Sequence, residues 1–138
     1  MANDQEEFWK SSFGDDYTVR NNKEQQILSK QYFWANIFSK IDPIKSVFEF
    51  GANRGLNLDA IKTINPSVIT NGIEINSQAA KIAKVKHRVI ENSFINTNID
   101  YPMVDLTFSL GVLIHIAPEN LNQAYELLYK CTSKYIVI

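Results

Sequence analysis

The sequence predicts an α/β domain built on a parallel sheet with helices on both faces. Two observations carry this expectation. From residue 46 onward, short apolar runs alternate with segments of helical spacing, and a glycine-containing turn follows the first apolar run. Alternation of this kind is typical of parallel sheets. With 138 residues, of which 45 % are hydrophobic and 21 % charged, the chain suits one domain with one core.

The segment before the sheet, residues 1–44, is expected to form an aromatic-rich helical cap on a core over residues 45–138. Up to about Asn22 it is predicted to be irregular or weakly helical. A helix is predicted from Asn22, which can cap it, to the stop at Asp42-Pro43.

Five strands are predicted on β-prone runs, over residues 46–50, 68–75, 87–90, 104–110 and 135–138. Helices are predicted over 56–64, 77–84 and 118–129, with Pro118 at a first helical position. Ligands of such sheets bind beyond the carboxyl ends of the strands, near the point where strand order reverses. The loops after strands one and four and the end of strand two are therefore expected side by side.

The turn after strand one, with Gly51, Ala52, Asn53 and Gly55, is the first candidate for cofactor binding. Glycines at such a turn let the backbone approach a ligand closely. The dinucleotide pattern has a second glycine where Asn53 stands, and Glu49 would repel phosphates and attract a cation. S-adenosylmethionine (SAM) has no phosphate but carries an ammonium and a sulfonium, so the pattern favours SAM over NAD. A tight turn without a ligand is the alternative.

Two further segments complete the predicted cofactor site. Glu74, followed by Ile75, lies about twenty residues past the glycine turn, where an acid can accept hydrogen bonds from both ribose hydroxyls. A solvated acid at a strand end is the alternative. Ser93 and Phe94, after strand three, can hydrogen-bond and pack an adenine, although an ordinary polar turn fits them equally well.

The end of strand four and its loop are expected to face the methionine part of the cofactor and the methyl acceptor. Ser109 and Leu110 are assigned to cofactor binding there. His115 is the candidate general base, because histidine titrates near neutral pH. The alternative for His115, between two isoleucines, is a packed core residue, and His87 is assigned no role.

Charge and cysteine content argue against several other functions. The formal net charge is −1 and the basic residues are scattered singly, which disfavours double-stranded nucleic acid as a partner. Cys131, the single cysteine, cannot form an internal disulfide, and no Cys/His spacing suggests a metal site. The acidic start is unlike a signal peptide and no apolar run has the length of a membrane span, so a cytoplasmic location is expected.

Three segments in this order and spacing resemble SAM-dependent methyltransferases: 48–57 (FEFGANRGLN), 72–76 (GIEIN) and 111–116 (GVLIHI). More narrowly, the chain resembles the methylases associated with pseudaminic acid biosynthesis, with which it shares 5–9 (QEEFW), 13–17 (FGDDY) and 20–21 (RN). The resemblance implies a Rossmann-like class I fold and SAM held by the equivalents of Glu49, Gly51, Asn53, Glu74, Phe94 and Leu110. It also implies that the N-terminal segment, with Tyr17 and Arg20, folds over the cofactor.

The implied activity is methyl transfer to a small molecule, such as a nonulosonic-acid sugar or its precursor, or to the glycan or protein carrying it. Domains of this family continue past strand five through a helix and an antiparallel pair of strands. The chain is therefore expected to be truncated after the fifth strand, and either to self-associate through that strand's open edge or to be less stable than a full-length relative. The alternatives are a SAM-binding fragment or interaction module without turnover and, disfavoured by Glu49 and Asn53, an NAD-dependent dehydrogenase.

Overall fold

The computed structural model describes residues 3–20 and 24–138, with Arg20 described by its backbone alone. The helices in these residues are α1 (Asp4–Lys10), α2 (Ser12–Arg20), α3 (Glu24–Phe38), α4 (Leu56–Ile64), α5 (Ser77–Ala83) and α6 (Leu121–Lys130). The strands are β1 (Ser46–Phe50), β2 (Ile69–Glu74), β3 (Arg88–Glu91), β4 (Val104–Phe108) and β5 (Thr132–Val137). Two short 3-10 helices, Leu113–His115 and Pro118–Asn120, lie between β4 and α6.

The five strands form one parallel sheet in the order β3-β2-β1-β4-β5. Strand order reverses between β1 and β4, which makes the carboxyl end of β1 the switch point of the sheet. Glu49 stands at this point, in register with Gly72 of β2 on one side and Phe108 of β4 on the other. The predicted α/β class with a parallel sheet is confirmed.

Alternation along β1 sends its side chains into two separate cores, as the period of two of a strand requires. Val47 packs with Trp34 of α3 and Leu58 of α4 on one face. Phe48 and Phe50 pack on the other face, in the cluster that contains the α6 residues Ala124 and Leu128. Helices thus cover both faces, and Glu49 points to the same face as Val47.

The N-terminal segment is more regular than expected. Residues 4–10 and 12–20 form helices, not irregular chain. Asn3 caps α1 in a capping box, in which its side chain accepts from the backbone N–H of Glu6 and the Glu6 carboxylate accepts from the Asn3 N–H. Asn22, the expected cap of α3, lies outside the described residues.

Two boundaries near the end of the chain also differ from expectation. Residues 118–120 form a 3-10 turn with Pro118 at its start, so α6 begins at Leu121. β5 begins at Thr132, three residues earlier than the apolar run predicts. It is an outer strand of the described sheet, and its Ser133 and Lys134 are exposed, which explains why a search for apolar runs missed them. Among the described residues, no helix is both long enough and apolar enough to cross a membrane.

Candidate functional site

A pocket with about 1170 Å³ of empty space, mouth included, opens beyond the carboxyl ends of β1, β2 and β4. α1 and α2 form its opposite wall. Its position, beyond the carboxyl ends of the strands at the switch point of the sheet, is where ligands of such sheets bind. Eleven residues singled out by the sequence line it: Tyr17, Glu49, Gly51, Ala52, Asn53, Glu74, Ile75, Ser93, Phe94, Leu110 and His115.

Glu49 is a buried carboxyl with one oxygen left unpaired. Only 2 % of the residue is exposed. Its Oε1 accepts a 2.8 Å hydrogen bond from Asn57 Nδ2, whereas Oε2 is buried and has no hydrogen-bond partner among the described residues. Burial raises the pKa of Glu49 to about 8, although the Asn57 bond and the charge of Lys30 act to lower it. An unpaired buried acceptor is costly, so this oxygen is suited to a ligand group that donates a hydrogen bond or carries a positive charge.

A fully buried tryptophan fixes how Asn57 meets Glu49. Trp34 Nε1 lies 3.3 Å from Asn57 Oδ1. Because an indole nitrogen can only donate, this contact turns the carbonyl oxygen of Asn57 toward Trp34 and its NH₂ toward Glu49. The orientation of the Glu49 carboxyl thus depends on α3, which lies outside the sheet and its crossover helices.

The turn after β1 takes left-handed backbone conformations at three places. Gly51 has φ 83°, Asn53 has φ 48° and Gly55 has φ 82°. A Cβ on Gly51 would lie 2.6 Å from Cγ2 of Val112, so the turn after β4 packs directly against this glycine. Space and dihedral together require glycine at 51.

Glu74, at the end of β2, joins this strand to the turn after β1 and to Asn76, the N-cap of α5. Its Oε2 accepts a 2.7 Å bond from the backbone N–H of Asn53, and its Oε1 accepts a 2.8 Å bond from that of Asn76. Burial raises the pKa of Glu74, although these two hydrogen bonds and a third from the backbone N–H of Ile75 act to lower it. Each carboxylate oxygen has two lone pairs, so both remain able to accept a ligand hydroxyl. Glu74 therefore also holds the glycine turn in place, a role that the sequence did not reveal.

The loop after β3 contributes an apolar wall and a polar contact. Phe94 is 8 % exposed and packs edge-on against Phe50, with ring centroids 5.6 Å apart. Ser93 Oγ donates to a carboxylate oxygen of Glu6 in α1. Glu6 and Gln5 also line the pocket, and the sequence reading had not assigned them to the site.

Hydrogen bonds hold α1 and α2 over the pocket. Asn76 Nδ2 donates to the carbonyl oxygen of Trp9 at 3.0 Å and to Asp15 Oδ1 at 2.9 Å. Thr18 Oγ1 lies 3.3 Å from Asn53 Oδ1, and Arg54 Nη1 donates to the Thr18 carbonyl at 3.2 Å. The sequence assigned none of Trp9, Thr18, Arg54 and Asn76, because the contacts join segments that are far apart in the chain.

His115 and His87 have opposite environments. His115 is exposed at the mouth, with its ring centroid 4.8 Å from that of Trp9, so its alternative as a packed core residue is wrong. His87 is the buried histidine: Nδ1 lies 2.7 Å from Thr70 Oγ1 and Nε2 lies 3.0 Å from Asp59 Oδ1. This histidine joins the start of β2 to α4 and does not line the pocket.

Two described residues that the sequence assigned to cofactor binding, Gly55 and Ser109, are not among the lining residues. A Cβ on Gly55 would lie 3.0 Å from the ring of His87, which places this glycine at a helix contact. Ser109 is 1 % exposed and its hydroxyl donates to the carbonyl oxygen of Phe50. The side chain of Arg20 lies outside the described part of the chain.

The sequence matches no protein-family model and no curated protein. Solved methyltransferases are nevertheless similar in structure. The plantazolicin methyltransferase BpumL, solved with a desmethylplantazolicin analogue and S-adenosylhomocysteine (SAH), has a TM-score of 0.70 at 16 % identity over 93 % of this chain and 52 % of its own. Magnesium protoporphyrin IX methyltransferase from Synechocystis PCC 6803, solved with SAM, has a TM-score of 0.70 at 14 % identity over 96 % and 74 %.

The sugar N-methyltransferase KedS8 from Streptoalloteichus also has a TM-score of 0.70, at 14 % identity over 86 % of this chain and 49 % of its own. The chain spans about half the length of BpumL and of KedS8. At such identities the likeness establishes the fold: this chain has the Rossmann-like fold of class I SAM-dependent methyltransferases.

Proposed function

We propose that this chain binds SAM and is the cofactor-binding part of a methyltransferase that acts on a small molecule. The buried, unpaired Oε2 of Glu49, at the switch point of the sheet, is the observation that carries the proposal. An acceptor in this position suits the ammonium of an amino-acid group, and charge-assisted hydrogen bonds are the strong ones.

The rest of the pocket fits the remainder of the cofactor. Glu74 has lone pairs left for two ribose hydroxyls. Phe94 and Ile75 provide apolar surface for the adenine, and the hydroxyl of Ser93 lies at the same wall. The glycine at 51 brings the backbone close to the amino-acid end.

When bound, SAM supplies a methyl group on a positively charged sulfur. The task of the protein is then to align this group with the acceptor atom. We assign that alignment to the turn after β4, with Leu110 and Val112, and to Trp9 on the opposite wall. His115 is the proposed base for the acceptor proton, because it is exposed at the mouth of the same pocket.

Calorimetric titration with SAH tests the proposal. We expect saturable binding that Glu49→Gln weakens strongly, because a neutral amide cannot form an ion pair with an ammonium. Glu91→Gln, at the exposed end of β3, is the matched control and should bind normally. Binding of NADH without SAH binding would instead support the dehydrogenase alternative.

Turnover distinguishes an enzyme from a binding module. With radiolabelled SAM and a panel of small acceptors, methyl transfer supports the enzyme. SAH binding without transfer to any acceptor would support the fragment or interaction module. The narrower acceptor that we propose is a nonulosonic-acid sugar or its precursor. Its support, like that of the proposed pathway, is the resemblance of the sequence motifs, and the cytoplasmic location stays a prediction from the sequence.

We further propose that copies of the chain associate through β5. This strand is an outer strand of the described sheet, and exposed backbone edges favour pairing. Ile136 and Ile138 are 40 % and 67 % exposed. Sedimentation at several concentrations should show a dimer that Ile136→Lys dissociates. A wild-type monomer at all concentrations contradicts this proposal.

A further inference from the structure

A second cavity, shallow and open to solvent, adjoins the cofactor pocket beside α3. It has about 470 Å³ of empty space, its open mouth included, and is lined by Ser29, Lys30, Phe33, Asn57 and Leu110. Lys30, Asn57 and Leu110 also line the first pocket, so the two cavities meet at these residues. Lys30 is the only cation among the described residues that lines both.

Lys30 has no ion-pair partner in the part of the chain that the structure describes, and it forms no ion pair with Glu49. Its charge nevertheless lies near enough to Glu49 to act against the effect of burial on the pKa of that carboxyl. The junction therefore offers an unpaired ammonium on α3 and an unpaired buried carboxyl oxygen on β1. A ligand with a carboxylate and an ammonium would satisfy both groups.

The other cation that lines the pocket lies away from the junction of the two cavities. Arg54 donates from Nη1 to the carbonyl oxygen of Thr18 in α2, and its Nε is buried with no hydrogen-bond partner among the described residues. It does not line the second cavity. Lys30 is thus the cation that a carboxylate at the junction would meet.

We propose that Lys30 binds a carboxylate group of a ligand where the two cavities meet. The inference rests on the proposed SAM binding. The carboxylate has two possible sources, the amino-acid end of the cofactor or the methyl acceptor. In the first case Glu49 and Lys30 hold the two charges of one amino-acid group, and in the second the cavity beside α3 is the acceptor subsite for an anionic small molecule.

The first arm of the test measures the affinities of two cofactor analogues by calorimetry. SAH carries the carboxylate, and S-adenosyl-3-thiopropylamine lacks it but keeps the amine. Lys30→Gln should weaken SAH binding about tenfold or more and leave the decarboxylated analogue unaffected, because a hydrogen bond between charged groups is lost only with SAH. Lys30→Arg should retain most of the affinity. Lys40→Gln, at an exposed site just past α3, is the control for charge.

The second arm applies when Lys30→Gln leaves SAH binding unchanged. N-acetylneuraminic acid, a nonulosonic acid, is then titrated into the SAH complex, with its methyl ester as the probe that removes only the charge. Binding of the acid to wild type, lost in Lys30→Gln and absent for the ester, assigns the carboxylate to the acceptor.

Three results would overturn the inference. Equal weakening of both cofactor analogues by Lys30→Gln would mean that the lysine acts only through the charge of Glu49. If Arg54→Gln, and not Lys30→Gln, selectively weakened the binding of SAH, the carboxylate site would lie at Arg54, beside α2. No effect of Lys30→Gln in either arm would leave the lysine without a ligand. In each case wild-type SAH binding persists, whereas its absence would overturn the proposed function itself.

Discussion

Asn57 donates a 2.8 Å hydrogen bond from Nδ2 to Oε1 of Glu49, and this bond leaves the other carboxyl oxygen as the unpaired acceptor of the pocket. One residue of α4 thereby decides which part of the β1 carboxyl meets a ligand. The partner of Asn57 on its other side, Trp34, belongs to the N-terminal segment. The site therefore depends on packing between the cap and the sheet.

The first prediction concerns pH and stability. Burial raises the pKa of Glu49 from an ordinary value of 4.5 to about 8. The folded chain then holds a proton that the unfolded chain loses, so the contribution of Glu49 to the free energy of unfolding is complete below about pH 4.5 and is lost as pH rises through about 8. Glu49→Gln should gain stability relative to wild type across this window, as measured by the difference in Tm between the two proteins.

The same carboxyl should couple ligand binding to proton release. A cation at Oε2 favours the ionised form, so the affinity for SAH should rise with pH up to about 8. Calorimetry at pH 7 in buffers of different ionisation enthalpy should show release of about one proton on binding, absent in Glu49→Gln. An affinity independent of pH between 5 and 8 would contradict the assignment of Glu49.

Removal of the indole donor should disturb Glu49 from a distance. Trp34→Phe keeps the aromatic packing on Phe108, whose ring centroid lies 4.5 Å away, but frees the amide of Asn57 to turn. We expect weaker SAH binding and a loss in the free energy of unfolding of about 0.5–1.5 kcal/mol for the hydrogen bond, with a further loss from the cavity that the smaller ring leaves in the core. In the Asn57→Ala background the effect of Trp34→Phe on binding should disappear, which a double-mutant cycle measures. If the effects of Trp34→Phe and Asn57→Ala on SAH binding were additive, Trp34 would not act on Glu49 through Asn57.

Glu74→Ala should weaken SAH binding strongly. Hydrogen bonds to charged groups contribute about 1.5–3 kcal/mol, which corresponds to roughly a 10- to 150-fold loss of affinity. The backbone N–H groups of Asn53 and Asn76 would also lose their acceptor. Glu91→Ala is a suitable control, because Glu91 stands in register with Glu74 on the neighbouring strand. Unchanged affinity in Glu74→Ala would remove the ribose assignment.

Two glycines allow a steric effect to be separated from backbone strain. Gly51 and Gly111 both have positive φ, but a Cβ on Gly51 would meet Val112 whereas a Cβ on Gly111 would meet nothing within 4 Å. Gly111→Val should lose only the cost of left-handed backbone, about 1–2 kcal/mol. Gly51→Val should lose more and should abolish SAH binding while circular dichroism still shows the sheet. Equal losses of stability in the two variants would mean that the contact with Val112 is unimportant.

His115→Ala tests the proposed base. Because His115 is exposed, its removal should leave folding intact and SAH affinity within about twofold. The rate of methyl transfer should fall by about 10²–10⁴-fold, the usual contribution of a general base. A rate loss of only twofold would limit His115 to its ring contact with Trp9.

Local patterns predict most of the sheet and the pocket-facing turns. The strand before Gly51 and the acid about twenty residues later could be identified from local sequence. An apolar run, a glycine turn and a helical pattern follow one another within a few residues where a strand leads into a helix. The capping box of α1 was also readable from Asn3 and Glu6, although the segment was predicted to be irregular or weakly helical. β5 was placed late because an outer strand tolerates polar residues such as Ser133 and Lys134.

By itself, the sequence determined the α/β class, the parallel strands and the placement of the acids Glu49 and Glu74 at the ends of β1 and β2. Each of these features depends on residues that are neighbours in the chain. The tertiary structure alone decided that Glu49 is half-paired, that Asn76 holds α1 and α2 over the pocket and that Lys30 reaches both cavities. These relations join side chains many residues apart. The hydrophobic periodicity of the sequence does not indicate these contacts, because they form only when α3 and the N-terminal helices pack against the carboxyl ends of the strands.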